Sequence, residues 1–347
     1  MKRRICSLLT ALILCTGLAA ALLPPAAASS DGSGDESAAT PRPSFTAVSD
    51  SFAEDKWQLI LNEPVLFHRR SFTDSKTGLY IQYNLYLPDG YDPAGSYPLV
   101  LFLADSGSTG RDPTLPLTQG IGGLVWAAPA WQEVFPTIVA VPVYREEILD
   151  HEYGFTTTGY VELTKNLVAH LCEEYAVDSD RIYGTGQGMG CEALLSIAGK
   201  NPKLFTACMF VSGQWNVKRL SSLEQQKFIL FASEDDTGVY RFANQLMDHF
   251  AADGVGFAYS VWDGNWEPNE RTLAGLKLTV SSTGHYFVLW RSGTIVPDIE
   301  DLKQAEKLGG ETADGIHVAS FQCAYRCVAL MEWMFGQKKP TDGDVVK

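Results

Sequence analysis

The chain has 347 residues, 46% of them hydrophobic and 20% charged, with a formal net charge of −14. That length and apolar content support a sizeable core. The acidic balance argues against nucleic acid and anionic membrane surfaces as partners, by repulsion.

Met1-Lys2-Arg3-Arg4 is a basic leader, Ile5 to Leu23 is apolar, and Ala26-Ala27-Ala28 precedes Ser29. This pattern predicts a secretory signal peptide over residues 1–28, and therefore a secreted protein with no membrane-spanning segment in its mature form. Cys15 follows Leu14 rather than a small residue, which speaks against a lipoprotein site. Residues 29–44 are polar, acidic and proline-bearing and read as a flexible linker. A single domain is expected over 45–340, with a short tail at 341–347. Cys172, Cys191, Cys208, Cys323 and Cys327 show neither zinc-ligand spacing nor an even count. Most lie in apolar stretches and read as small buried hydrophobes.

Leu79 to Leu87 alternates, with Leu79, Ile81, Leu85 and Leu87 on one face, and predicts an antiparallel strand at the edge of a sheet. Pro88-Asp89-Gly90-Tyr91 is turn chemistry. Tyr97–Leu103, Thr137–Val143, Ala207–Val211 and Lys227–Ala232 are short apolar runs suited to strands buried on both faces. Leu163, Leu167, Val168 and Leu171 mark a helix ending at Tyr175. Val239, Phe242, Ala243, Leu246, Met247 and Phe250 mark another. Phe321, Ala324, Tyr325, Val328 and Phe335 mark one final helix. Trp262 to Gly310 shows little periodicity and reads as an insertion near the site. The alternation predicts an α/β fold, a mostly parallel sheet with helices on both faces and an antiparallel N-terminal edge.

Between the first two helices lies Asp180–Cys191, DRIYGTGQGMGC. It reads as a strand over Arg181–Thr185, a glycine-rich turn, and a helix starting near Met189. This is the frame of G-x-S-x-G, the nucleophile elbow of α/β-hydrolases, with Gly188 where the serine belongs. Together with YNLYLPDGYDP, YPLVLFL, LFTACMFVSGQW and the C-terminal HVASFQCAYRCVALMEWMFGQ, the chain resembles secreted esterases of the polyhydroxybutyrate-depolymerase and feruloyl-esterase type, within the α/β-hydrolase superfamily.

The resemblance implies an α/β-hydrolase fold and assigns roles. The catalytic acid falls on Asp236, with Asp235 as runner-up, and the acid's other reading is a helix cap. The base falls on His317, with His285 as the alternative. Backbone N–H groups of Met189 and Asp105 would form the oxyanion hole. Ala104-Asp105 open the loop where the family has a histidine-glycine pair, a departure read as independent of Gly188. The Asp105 carboxylate would have to point away from a developing negative charge. Gln187 and Trp215 are candidate substrate-binding residues, and Trp131 a further aromatic, with core packing the plainer role for either tryptophan. No cofactor motif and no metal-ligand cluster is visible.

Without an Oγ there is no acyl-enzyme. Three readings follow. The first is a degenerate esterase that still binds a small-molecule ester, peptide or glycan. The second is an active hydrolase in which His317 activates water. The third is an ordinary esterase in which Gly188 is a single-base variant.

Overall fold

The computed structural model describes residues 46–308 and 315–339. The expected signal peptide, linker and tail lie outside the described residues. The strands are β1 (His68–Thr73), β2 (Tyr80–Tyr86), β3 (Tyr97–Leu103), β4 (Ile138–Val143), β5 (Leu149–Asp150), β6 (Thr156–Thr157), β7 (Val177–Gln187), β8 (Ala207–Val211), β9 (Phe228–Ser233), β10 (Ala258–Trp262) and β11 (His285–Trp290). Nine of them form one sheet in the order β1-β2-β4-β3-β7-β8-β9-β11-β10, and β5 and β6 form a small ribbon. β2 runs antiparallel to both neighbours, and from β4 to β10 every pairing is parallel.

The helices are α1 (Lys56–Asn62), α2 (Leu115–Thr118), α3 (Pro129–Val134), α4 (Gly159–Glu174), α5 (Met189–Lys200), α6 (Thr237–Ala252), α7 (Pro268–Thr279), α8 (Ile299–Leu308), α9 (Ile316–Tyr325) and α10 (Val328–Phe335). Side chains alternate across a strand, so β3 feeds two cores. Leu99, Leu101 and Leu103 enter one core, with the apolar faces of α4, α5 and α6. Val100 and Phe102 enter the other, beneath α3, α9 and α10. The sheet is therefore buried on both faces, which is why its strands read as unbroken apolar runs. This is the α/β-hydrolase fold.

Three expectations are corrected. β2 is not the edge, because β1 pairs outside it. β1 (HRRSFT) is almost wholly exposed, so it carries no apolar alternation by which to find it. Trp262–Gly310 is not an insertion: it supplies α7, α8 and β11, which sits inside the sheet between β9 and β10. The final helix is two helices. Cys327 leaves helical geometry at φ −87°, ψ 69°, while the Arg326 Nη2 donates to the Glu54 carbonyl at 3.0 Å. Trp131 is fully buried, packed edge-on against Trp126 and Phe335, and belongs to the core.

Candidate active site

β7 ends at Gln187 and α5 begins at Met189, so a single residue, Gly188, makes the whole turn. Its backbone sits at φ 52°, ψ −124°. That is a strained conformation for a residue with a side chain, and glycine adopts it without the Cβ penalty. The turn also brings α5 against the end of β3. A Cβ on Gly190 would lie 2.7 Å from the Ala104 carbonyl oxygen and closer still to that of Leu103. The elbow's backbone is therefore complete, although the serine is absent.

The space that a side chain at 188 would need is filled by Asp105. A Cβ on Gly188 would fall 2.9 Å from the Asp105 Cβ and 2.6 Å from its Cγ, with Oδ1 closer still. The carboxylate is 3% exposed and held on both oxygens. The Met189 N–H donates to Oδ1 at 3.1 Å, while the Gly107 N–H and the Gln119 Nε2 donate to Oδ2 at 3.2 and 3.0 Å. Met189 N–H is one of the two expected oxyanion donors, so the carboxylate occupies the position expected of the hole instead of pointing away from it. The departures at 105 and 188 are not independent. The Asp105 carboxylate excludes a Cβ at 188, so it requires the glycine there.

Acid and base meet. His317, on the first turn of α9, places Nδ1 2.6 Å from Asp236 Oδ2. A carboxylate only accepts, so Nδ1 carries the proton and the other ring nitrogen is left for chemistry. Burial pulls the His317 pKa down, but the Asp236 hydrogen bond and charge, with Asp105 and Glu192 behind them, raise it overall. Ser320 Oγ donates to the His317 carbonyl at 2.6 Å and shares a 2.5 Å bond with Ser212 Oγ, which ties α9 to the end of β8. Asp236 also caps α6, its Oδ1 accepting from the Val239 N–H at 3.5 Å, so the cap and the partner are one side chain. Asp235 turns instead to the Gly293 N–H, at 2.7 Å. His285 begins β11 opposite Phe228, at the far end of the parallel strands from the elbow, with Nδ1 2.9 Å from the Gly256 carbonyl.

The model of the esterase family described as "Putative esterase" matches residues 75–294, well over half of the sequence. The chain belongs to this esterase family. No curated protein sequence matches it. Among solved structures, a thermostable esterase is similar at TM-score 0.60 and 22% identity, over 80% of this chain and 64% of that one. The chain thus spans less than two thirds of that esterase's length. A feruloyl esterase module from Clostridium thermocellum, an S954A mutant complexed with sinapinate, is similar at TM-score 0.46 and 14% identity, over 68% of this chain and 84% of that one.

Other side chains at the elbow take roles that no motif announced. Gln187 is fully buried, its Nε2 donating to the Gln119 carbonyl at 2.8 Å, so it supports the residue that holds Asp105 and offers no surface to a ligand. Trp215 is 4% exposed and lies under the Phe155 ring. Glu192, one turn into α5, is a buried carboxylate that accepts from His151 Nδ1 at 3.0 Å and from the Gln214 N–H at 3.4 Å. Burial raises its pKa, against the pull of His151. A glutamate on a helix has no distinguishing sequence signal. The five described cysteines are free. One trio of potential metal ligands, Glu224, His249 and Asp253, contains none of these site residues. No helix among the described residues is long and apolar enough to cross a membrane.

Proposed function

We propose that this esterase-family protein has given up acyl transfer through a serine and retains its cleft as a binding site for a small-molecule ester, peptide or glycan, acting outside the cytoplasm after export on residues 1–28. One observation carries the reading: the Asp105 carboxylate stands in the nucleophile's space and bonds the Met189 N–H. A tetrahedral intermediate needs that donor free and pointed at its oxyanion. A fixed carboxylate there repels the same charge that the donor once stabilised. The carboxylate fits only when residue 188 has no Cβ, so Asp105 depends on the loss of the serine.

Hydrolysis of p-nitrophenyl acetate by four proteins tests this. The native chain, Gly188→Ser and Asp105→Gly are expected to stay near background. The Gly188→Ser/Asp105→Gly pair is expected to gain at least about 10²-fold, since freeing one oxyanion donor alone is worth about 10²–10³. Robust turnover by the native chain, surviving Asp105→Gly, would sink the reading. The intact His317–Asp236 pair favours a second reading, slow attack of water with His317 as base. It gives a native rate that rises with pH through the elevated His317 pKa and disappears in His317→Ala.

A further inference from the structure

The β5–β6 ribbon lies across α5 as a strap whose tip is residues 151–155. His151 bonds the buried Glu192. The Phe155 ring stands edge-on to Trp215, with centroids 5.4 Å apart at 82°. Arg219 clamps the strap from the β8–β9 connection, donating to the Phe155 carbonyl at 2.6 Å and the Gly154 carbonyl at 3.4 Å. The tip is held under strain: Phe155 has φ +55°, an unfavourable left-handed conformation for a bulky residue, while the neighbouring Tyr153 is 87% exposed.

Beneath the strap lie two groups with complementary needs. Glu192 is 4% exposed, and a buried carboxylate calls for a cation or hydrogen-bond donors. Trp215, also 4% exposed, calls for apolar or aromatic cover. The strap supplies both, an imidazole for one and a phenyl ring for the other. We propose that Glu192 and Trp215 form a binding site for arylalkylammonium ligands, a primary ammonium joined by a short chain to an aromatic ring, which His151 and Phe155 of the strap occupy when no ligand is bound. The inference rests on the reading of the cleft as a binding site and names its ligand class.

Charge points the same way. Asp105 lies close enough to add to the negative field at Glu192. An ammonium gains from that field, and a carboxylate ligand is rejected by it. The groups facing His151 are Glu192 from α5 and Asp150 and Glu152 from the strap itself, and the Glu192 hydrogen bond leads in raising its pKa. The His151–Glu192 contact is thus charged below that raised value and weakens as pH rises through it. An alkylammonium, which titrates near the ordinary lysine value of about 10.4, stays charged there and meets a weaker competitor.

Isothermal titration of the full chain with 2-phenylethylamine, 2-phenylethanol and phenylacetate tests the proposal. The amine is expected to bind His151→Ala/Phe155→Ala about tenfold more tightly than the native chain, because an occluded state lowers apparent affinity by the fraction that is open. The single His151→Gln should fall between the two. Binding should be lost in Glu192→Gln and weakened in Trp215→Leu, with circular dichroism confirming that each is folded. Amine affinity unchanged by the strap variants, or alcohol and carboxylate binding as tight as the amine, would overturn it. The ester assay on the 105/188 variants does not involve the strap, so that reading can stand or fall on its own.

Discussion

At Gly188 and Asp105 two side-chain choices compete for one volume. Asp105 is buried, and its oxygens accept from Met189, Gly107 and Gln119. Asp105→Ala would leave the Met189 N–H and the Gln119 amide without acceptors, at about 1–3 kcal/mol for each group stranded away from water. A net loss of about 2–4 kcal/mol is expected in urea unfolding, with Asp105→Asn, which keeps one acceptor oxygen, losing less. A loss under about 0.5 kcal/mol, the ordinary surface value, would mean that the carboxylate merely fills space. Gly188→Ser should also destabilise, through its Cβ strain and the overlap with Asp105, and the second substitution Asp105→Gly should recover the overlap part.

Helix ends place the His317–Asp236 pair, and this sets a pH dependence. α6 begins at the Asp236 cap and α9 carries His317 on its first turn, so the pair joins two helix N-termini. The His317 pKa is raised in the folded protein above its unfolded value of about 6.5. The stabilisation it supplies is therefore full below about 6.5 and is lost as pH climbs through the raised folded value. Thermal unfolding from pH 5.5 to 9 should show that decline, and His317→Gln should remove this component. A curve unchanged by the substitution would mean that the pair adds nothing to stability. The break between α9 and α10 serves the same placement: α9 faces the site through Ser320, while α10 sends Phe335 against Trp126, Trp131 and Tyr183.

Across the whole molecule the strand order decides where the site lies. The chain leaves β3 toward β4 on one side and leaves β7 toward β8 on the other, which opens the crevice where α/β sheets bind ligands. Leu103 pairs with Gly186, so the residues two beyond each, Asp105 and Gly188, emerge level with one another. The sheet's other face depends on Trp131, fully buried among Trp126, Phe135 and Phe335. Trp131→Ala should cost about 3–5 kcal/mol. A cost below 1 kcal/mol in urea unfolding would return Trp131 to the cleft.

Much of this was legible in one dimension. Apolar runs of strand length, the glycine frame at 186–190, and the order of Gly188, Asp236 and His317 depend on local propensity and spacing, and they determined the fold class and the identity of the acid and base candidates. β1 escaped because an exposed strand has no burial pattern to display, and β11 because its segment is flanked by turns and loops. The surroundings of Gln187 and Trp215 could not be read from the sequence, because their neighbours, Gln119 and Phe155, come from distant loops. The strap's hold on Glu192 was invisible for the same reason. The direction of the Asp105 side chain was decided only in three dimensions. It comes from a loop 83 positions upstream of Gly188, and the parallel register of β3 on β7 brings the two together, so no local signal could report that one residue's carboxylate stands where the other's side chain would be.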